Sequence, residues 1–464
     1  GFTTLNKEVA LESLPVSGVL PLWLMGTLVR NGPAKFEAGE KKLRHWFDGF
    51  AMLHKFSFQN GKVSYANKFL ESKAYRYAEE EQALGYSEFA TDPCRSIFKR
   101  FAQEFFPKAT DNANVNVSKI AKHFTALTEI PLPIEFDLDT LKTAGVHNYQ
   151  DSLKGNLTTA HPHYDFERNE GVNYLTQFSL HNKYNVYRIP SNSNARELIA
   201  SIPVSEPAYM HSFGITKNYV VLAEYPFVIN PLHLLLSQKP FIENFKWKPE
   251  KGATFLIIER KTGKVKGRYS TETFFAFHHV NAFEDANGLV VDIVGYPDVA
   301  IVHSLYLDAL RGEVGKNLVS AGQLRRYHIA WDTEIVPYET IVENPLELPR
   351  TNYKWANTND YQFVYGTGSN PDHPENFLDR LLKVDVKKRT VQIWREENCY
   401  PGEPVFVAAP NTRREDEGVI LSVVLNTEKR NSFLLVLDAP SFKELGTAEV
   451  PHHIPFGFHG QYFG

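Results

Sequence analysis

Residues 274–285 read FFAFHHVNAFED, two adjacent histidines inside an apolar, aromatic run. In an extended strand neighbouring side chains point to opposite faces. His278 and His279 therefore cannot both serve one site, and the residues alone leave open which one does. A histidine among phenylalanines needs a partner for its ring nitrogens, because an unpaired buried polar group is costly. That partner is a metal, a carboxylate or a backbone carbonyl.

Working outward, strand-like runs recur along the whole chain, separated by Gly, Pro, Asn and Asp. Among them are GTLVRNGP (26–33), GVNYLTQFSL (171–180), NYVVLAEYPF (218–227), GLVVDIVGY (288–296) and GVILSVVLN (418–426). In FLIIERKTGKVKGRY (255–269) the KTGK turn predicts a hairpin. Helical periodicity is rare; residues 93–106 and 231–238 are the best candidates. Many strands with few crossover helices predict an all-β, antiparallel propeller or sandwich array. Blades of about 40 to 45 residues would leave a surplus for insertions on one face. No linker or low-complexity segment divides the chain, so residues 1–464 read as one domain.

The 464 residues include 33 Phe and 22 Tyr, an aromatic content that suits both strands and an apolar ligand tunnel. A formal net charge of -4 gives no basic surplus for nucleic acid. Two cysteines, Cys94 and Cys399, make no disulfide framework, and a reducing, cytoplasmic compartment is expected. The N-terminal residues show no signal-peptide pattern, and no run reaches the roughly 18 to 20 apolar residues of a membrane span. No glycine-rich nucleotide fingerprint occurs, so no nucleotide cofactor is expected. Two apolar patches, 96–106 and 227–241, read either as core or as an interfacial anchor making peripheral membrane contact.

Of 17 histidines, four stand at ends of apolar or small-residue segments beside turns: His161 (TTAHPHYD), His211 (AYMHSFGIT), His278 and His459 (FGFHGQYFG). In a propeller such segments from different blades converge on the axis. Four neutral imidazoles suit a borderline ion such as iron(II), although ligands so far apart carry no local metal signature.

The chain resembles the carotenoid cleavage oxygenase family. The likeness rests on RNGP (30–33), HWFDGFAMLHKF (45–56), DNANVNV (111–117), ALTEIPLPIEFDLDTLKT (126–143), TAHPHYD (159–165), HSFGIT (211–216), FHHVNAFED (277–285), LELPRTNY (346–353), YPGEPVFV (400–407) and FHG (458–460). HWFDG and YANKFLES (65–72) are most similar to the branch with animal-type carotenoid oxygenases and the retinoid isomerohydrolase. The resemblance implies a seven-bladed β-propeller with a dome of loops and helices over the iron-bearing face. It implies Fe(II) on His161, His211, His278 and His459. It also implies that Glu129, Glu347 and Glu403 orient ligand rings, as carboxylates behind metal-bound imidazoles do. His279 and His163 are then structural, and His45, with Asp48 and Gly49, is a turn and packing element. Thr128, Phe277, Tyr296 and Val115 are expected to line the substrate site. Stilbene-cleaving members carry a lysine where this chain has Thr128, which argues for a carotenoid or apocarotenoid as the partner of O2. Cleavage of a polyene double bond is implied, with central 15,15′ scission to retinal expected over eccentric 9′,10′ scission. A retinoid isomerohydrolase-type reaction and a non-enzymatic propeller scaffold are the alternatives.

Overall fold

The computed structural model describes residues 1–92, 110–231, 234, 237, 239–312, 321–373 and 377–464. Seven antiparallel sheets of four to six strands surround an axis, so the fold is a seven-bladed β-propeller. The blades are counted from the N-terminus.

Blade one is closed by both ends of the chain. The strand Gly26–Lys35 pairs with the last strand, Gly460–Phe463, with Thr27 opposite Phe463 and Arg30 opposite Gly460. Blade seven takes an N-terminal strand as well, Val16–Gly18 against Glu444–Val450. Chain closure therefore sets the position of His459, one residue ahead of the final strand. The backbone confirms this: Asn31 N–H donates to the carbonyl of His459 at 2.9 Å, and His459 N–H donates to the carbonyl of Val115 at 3.1 Å. Gly32 is required here by close approach, since a Cβ on it would stand 2.4 Å from the Cα of Gly457.

The expected strands are present, including the KTGK hairpin, formed by Ala253–Glu259 and Val265–Thr271. The inner strands are nearly buried where two blades meet, which explains their continuous Val, Ile, Leu and Phe content, whereas an outer strand such as Val265–Thr271 is largely exposed. The inner strand Gly288–Tyr296, for example, is buried at every position. The largest core cluster includes Phe255, Phe274, Phe275, Val291 and Tyr327.

Short helices and loops, including Lys73–Glu81, Ala300–Ser304 and Leu307–Leu310, lie between blade strands. The stretch HWFDG forms a 3₁₀ turn, Trp46–Asp48. His45 Nδ1 accepts from Phe47 N–H at 3.0 Å, while Asp48 accepts from His45 N–H at 2.9 Å. This reciprocal cap bears out the reading of His45 as a turn element. The apolar patch at 96–106, with the helix expected there, and residues 232, 233, 235, 236 and 238 lie outside the described residues. Phe227, Val228 and Ile229 of the second patch are buried in core clusters, so that part of it is packing rather than an anchor.

Candidate metal centre

Each of the seven blades sends one ionisable side chain to the axis. His459 comes from blade one, His161 from blade three, His211 from blade four and His278 from blade five. Glu129, Glu347 and Glu403 come from blades two, six and seven. His161 lies between two short strands of its blade, and His211 precedes the strand Gly214–Ile215. His278 departs from the expected place at a segment end. It lies inside Phe275–Glu284, where the register shifts between Ala276 and His279. The bulge turns a regular strand aside, and bulges re-aim side chains in this way.

The four rings converge. His161 Nε2 and His211 Nε2 are 3.1 Å apart, and His278 Nε2 and His459 Nε2 are 3.2 Å apart. One nitrogen from each ring falls within 4.8 Å of all the others. Three rings are held from behind. His211 Nδ1 donates to Glu129 at 2.7 Å, His278 Nδ1 to Glu347 at 2.6 Å and His459 Nδ1 to Glu403 at 2.7 Å. An ionised carboxylate only accepts, so these bonds place the ring proton on Nδ1 and leave Nε2 a bare lone pair. Lone pairs crowded at about 3 Å repel unless a cation lies between them. The donor set therefore fits a metal ion, and neutral imidazole with carboxylate support suits iron(II).

The carboxylates are themselves braced. Burial works to raise the Glu403 carboxyl, but Arg350, His459 and Arg30 outweigh it and hold the group well below the usual range. Arg30 ion-pairs with Glu403 in the interior, and Arg350 stands 3.6 Å away. Glu347 is also held low against burial, by His278, the Leu348 N–H and Tyr296. Tyr209 donates to Glu129 at 2.7 Å. Burial and the three neighbouring rings hold His161 well below the usual imidazole value, and His459 is lowered to about 4. Both rings are neutral near pH 7 and ready to bind a cation.

A model of the retinal pigment epithelial membrane protein family matches residues 2–464. The chain belongs to this carotenoid oxygenase family. The human mitochondrial carotenoid-cleaving dioxygenase is 34% identical over 523 residues, covering 99% of this chain and 90% of the relative. The chicken (Gallus gallus) beta,beta-carotene 15,15′-dioxygenase is 33% identical over 517 residues, covering 98% and 97%. A point variant of the Synechocystis apocarotenoid oxygenase superposes with a TM-score of 0.89 at 25% identity, over 100% of this chain and 97% of that one. The cobalt-substituted form of that enzyme gives a TM-score of 0.87 at 25% identity, over 99% and 97%.

In this member of the carotenoid oxygenase family the quartet separates two cavities. The first is apolar and touches His211, His278 and His459. Phe277, Tyr296 and Val115 line it, together with Trp46, Phe47 and Phe458. The second is more polar, and it is the one that touches His161. Thr128 opens into this second cavity and not into the apolar one. Leu127 takes the position facing Val115 and Ala160, and Glu129 turns to His211, so Thr128 is left on the far side.

His279 points away from the quartet, and its Nδ1 donates to Ser212 Oγ at 2.9 Å, since the Ser212 hydroxyl proton goes to the carbonyl of Phe277. Burial lowers its ring to about 3, so it is a neutral structural residue. His163 is likewise structural, bonded to Tyr353 Oη at 2.9 Å and the carbonyl of Phe213 at 2.8 Å.

Three asparagines were not singled out from the sequence. Asn112 and Asn114 donate to the carbonyl of Gly49 at 2.9 and 2.7 Å, and Asn114 also to that of Phe47 at 2.8 Å. Asn116 donates to the carbonyl of Ala160 at 2.8 Å, beside His161. They brace the turn that presents Phe47 and the loop that presents a ligand. Their alternation in DNANVNV was the available signal.

Proposed function

We propose that the chain, acting as a single propeller domain, is a non-haem iron(II) dioxygenase that cleaves a polyene double bond of a carotenoid or apocarotenoid, giving two carbonyl products. The observation that carries this reading is the convergence of four imidazoles, three of them at the wall of an apolar, aromatic cavity. The family relatives named for carotenoid cleavage, at about one-third identity over nearly the full chain, support it.

His161, His211, His278 and His459 would hold iron(II), which when bound supplies the electron density that activates dioxygen. Glu129, Glu347 and Glu403 fix ring orientation and offset the charge of the ion. Phe47, Phe277 and Phe458 present ring faces and edges to a conjugated chain and keep water away. Val115 packs beside the reacting region, and its carbonyl fixes the backbone of His459. Two polar groups of the wall are engaged within the protein. Trp46 N–H donates to the carbonyl of Phe456 at 2.9 Å, and the Tyr296 hydroxyl to Glu347 at 2.8 Å. Such a wall favours a hydrocarbon polyene over an ester that must be hydrolysed.

Central 15,15′ cleavage to retinal is the regiochemistry we propose, in a reducing, cytoplasmic compartment with access to membrane-dissolved substrate. Among the described residues no helix is long and apolar enough to cross a membrane.

Incubation of iron-loaded protein with β-carotene under labelled dioxygen tests the reading. Labelled oxygen in two molecules of retinal is the expected result. Intact β-carotene without oxygen uptake, together with isomerised and hydrolysed retinoid from an all-trans retinyl ester offered in a parallel incubation, would overturn it in favour of the isomerohydrolase reaction.

A further inference from the structure

A second cluster of donor atoms stands apart from the axis, in blade two. His123 opens the strand His123–Leu127, Glu135 is central in Ile134–Phe136, and His147 follows Thr143–Val146. These strands are neighbours in one sheet. Glu135 lies opposite Thr125 on one side and Gly145 on the other. His123 and His147 are each two residues from those positions, so strand alternation puts all three side chains on one face.

We propose that His123, Glu135 and His147 form a metal site for a borderline divalent cation such as zinc(II), separate from the iron centre. His123 Nδ1 lies 3.0 Å from Glu135 Oε2, and His147 Nδ1 lies 2.6 Å from Glu135 Oε1. One donor atom from each residue falls within 4.8 Å of the others. Two imidazoles and a carboxylate are the donor set of an open, three-ligand zinc site with a fourth position for water. Among the described residues the only ion-pair partners of Glu135 are these two rings, so no Lys or Arg neutralises the carboxylate. Access exists: the His123 and Glu135 side chains are 29% and 24% exposed, whereas His147 is 1% exposed and held edge-on by Tyr149. Nothing lies within 4 Å of where a Cβ on Gly145 would be, so no neighbour fills the space on that side of the carboxylate. None of the three residues lines either axial cavity. A cation here would tie the outer strand of blade two to its neighbours.

The test uses iron-loaded protein, so that the four-histidine centre is filled before zinc is offered. The protein is equilibrated with zinc(II) alone, desalted and analysed for both metals. A full equivalent of zinc retained beside the iron is expected, with a raised thermal midpoint. Glu135→Gln and His123→Asn should reduce zinc to background while keeping iron, and iron retention shows that these variants are folded. Background zinc in the parent protein overturns the proposal and leaves the cluster a hydrogen-bonded clamp. Zinc gained only at the expense of iron also overturns it, as does undiminished zinc in both variants.

Discussion

The Tyr296 hydroxyl donates to Glu347 Oε1 at 2.8 Å, while Oε2 of the same carboxylate accepts from His278 Nδ1 at 2.6 Å. A wall residue of the apolar cavity thus also sets the orientation of a candidate metal ligand. Tyr296→Phe keeps the ring and removes the bond. Iron affinity should fall by up to about tenfold, the lower end for groups behind a ligand. Iron retained through chelator titration checks this, with product identity unchanged because the wall keeps its shape.

Arg30 and Glu403 are a fully buried pair, and Glu403 has no exposed surface. Removing Arg30 leaves Glu403 with Arg350 and His459 as its remaining partners. Arg30→Met should therefore destabilise the fold by less than the about 3–5 kcal/mol of a fully uncompensated buried charge, read from denaturant midpoints. It should also weaken iron binding, because Glu403 accepts from His459.

His278→Ala should abolish iron binding, whereas His279→Leu should keep it. Ser212 Oγ still donates to the carbonyl of Phe277 and accepts from the N–H of residue 279 in the second variant. Its cost is one lost side-chain bond, about 1 kcal/mol. Metal analysis of the two variants decides between adjacent residues that the sequence alone could not separate.

The propeller was legible because each buried strand is a short apolar run between turn residues, as at 288–296 and 418–426. The quartet was not legible from spacing, since its members are joined by blade geometry and not by a local motif; the family resemblance supplied them. The cavity that Thr128 faces was illegible for a related reason. At the end of a strand a one-residue change of direction moves a side chain from one cavity to the other, and no pattern in LTEIP records it. The register shift beside His278 is equally silent in the sequence, as are the contacts of Asn112, Asn114 and Asn116, which are side-chain to backbone bonds between distant segments.

Burial lowers the ring of His54 to about 3 from an ordinary value of 6.5. The folded pKa is depressed, so the unfolded chain binds more protons between about pH 6.5 and 3. Stability from the neutral ring is therefore present above pH 6.5 and lost as pH falls toward 3, with a limiting slope of about 1.4 kcal/mol per pH unit. His54→Asn retains an acceptor or donor toward Tyr65, which lies 2.9 Å from Nδ1. Denaturant midpoints of parent and variant should converge on acidification from pH 7 to 4, because the variant lacks this loss. Parallel curves would show that His54 does not titrate on unfolding.

Phe47 stands where the dome turn meets the quartet, with its ring 5.8 Å from Phe277, 5.1 Å from Phe458 and 6.2 Å from His211. Under the proposed function it would be the aromatic that fixes how a flat polyene lies over the four rings. Phe47→Ala removes that contact without touching a ligand or a carboxylate behind one. Iron content should be unchanged. Large-to-small changes at buried aromatics cost about 3–5 kcal/mol, and Phe47 is partly buried, so its cost should be below that range. The enlarged space lets the polyene slide along its axis, so the product distribution should broaden from one aldehyde to several chain lengths. Mass analysis of the products checks this. A single unchanged product at full rate would mean that the register is set elsewhere along the cavity, with Phe277 and Val115 the next positions to vary.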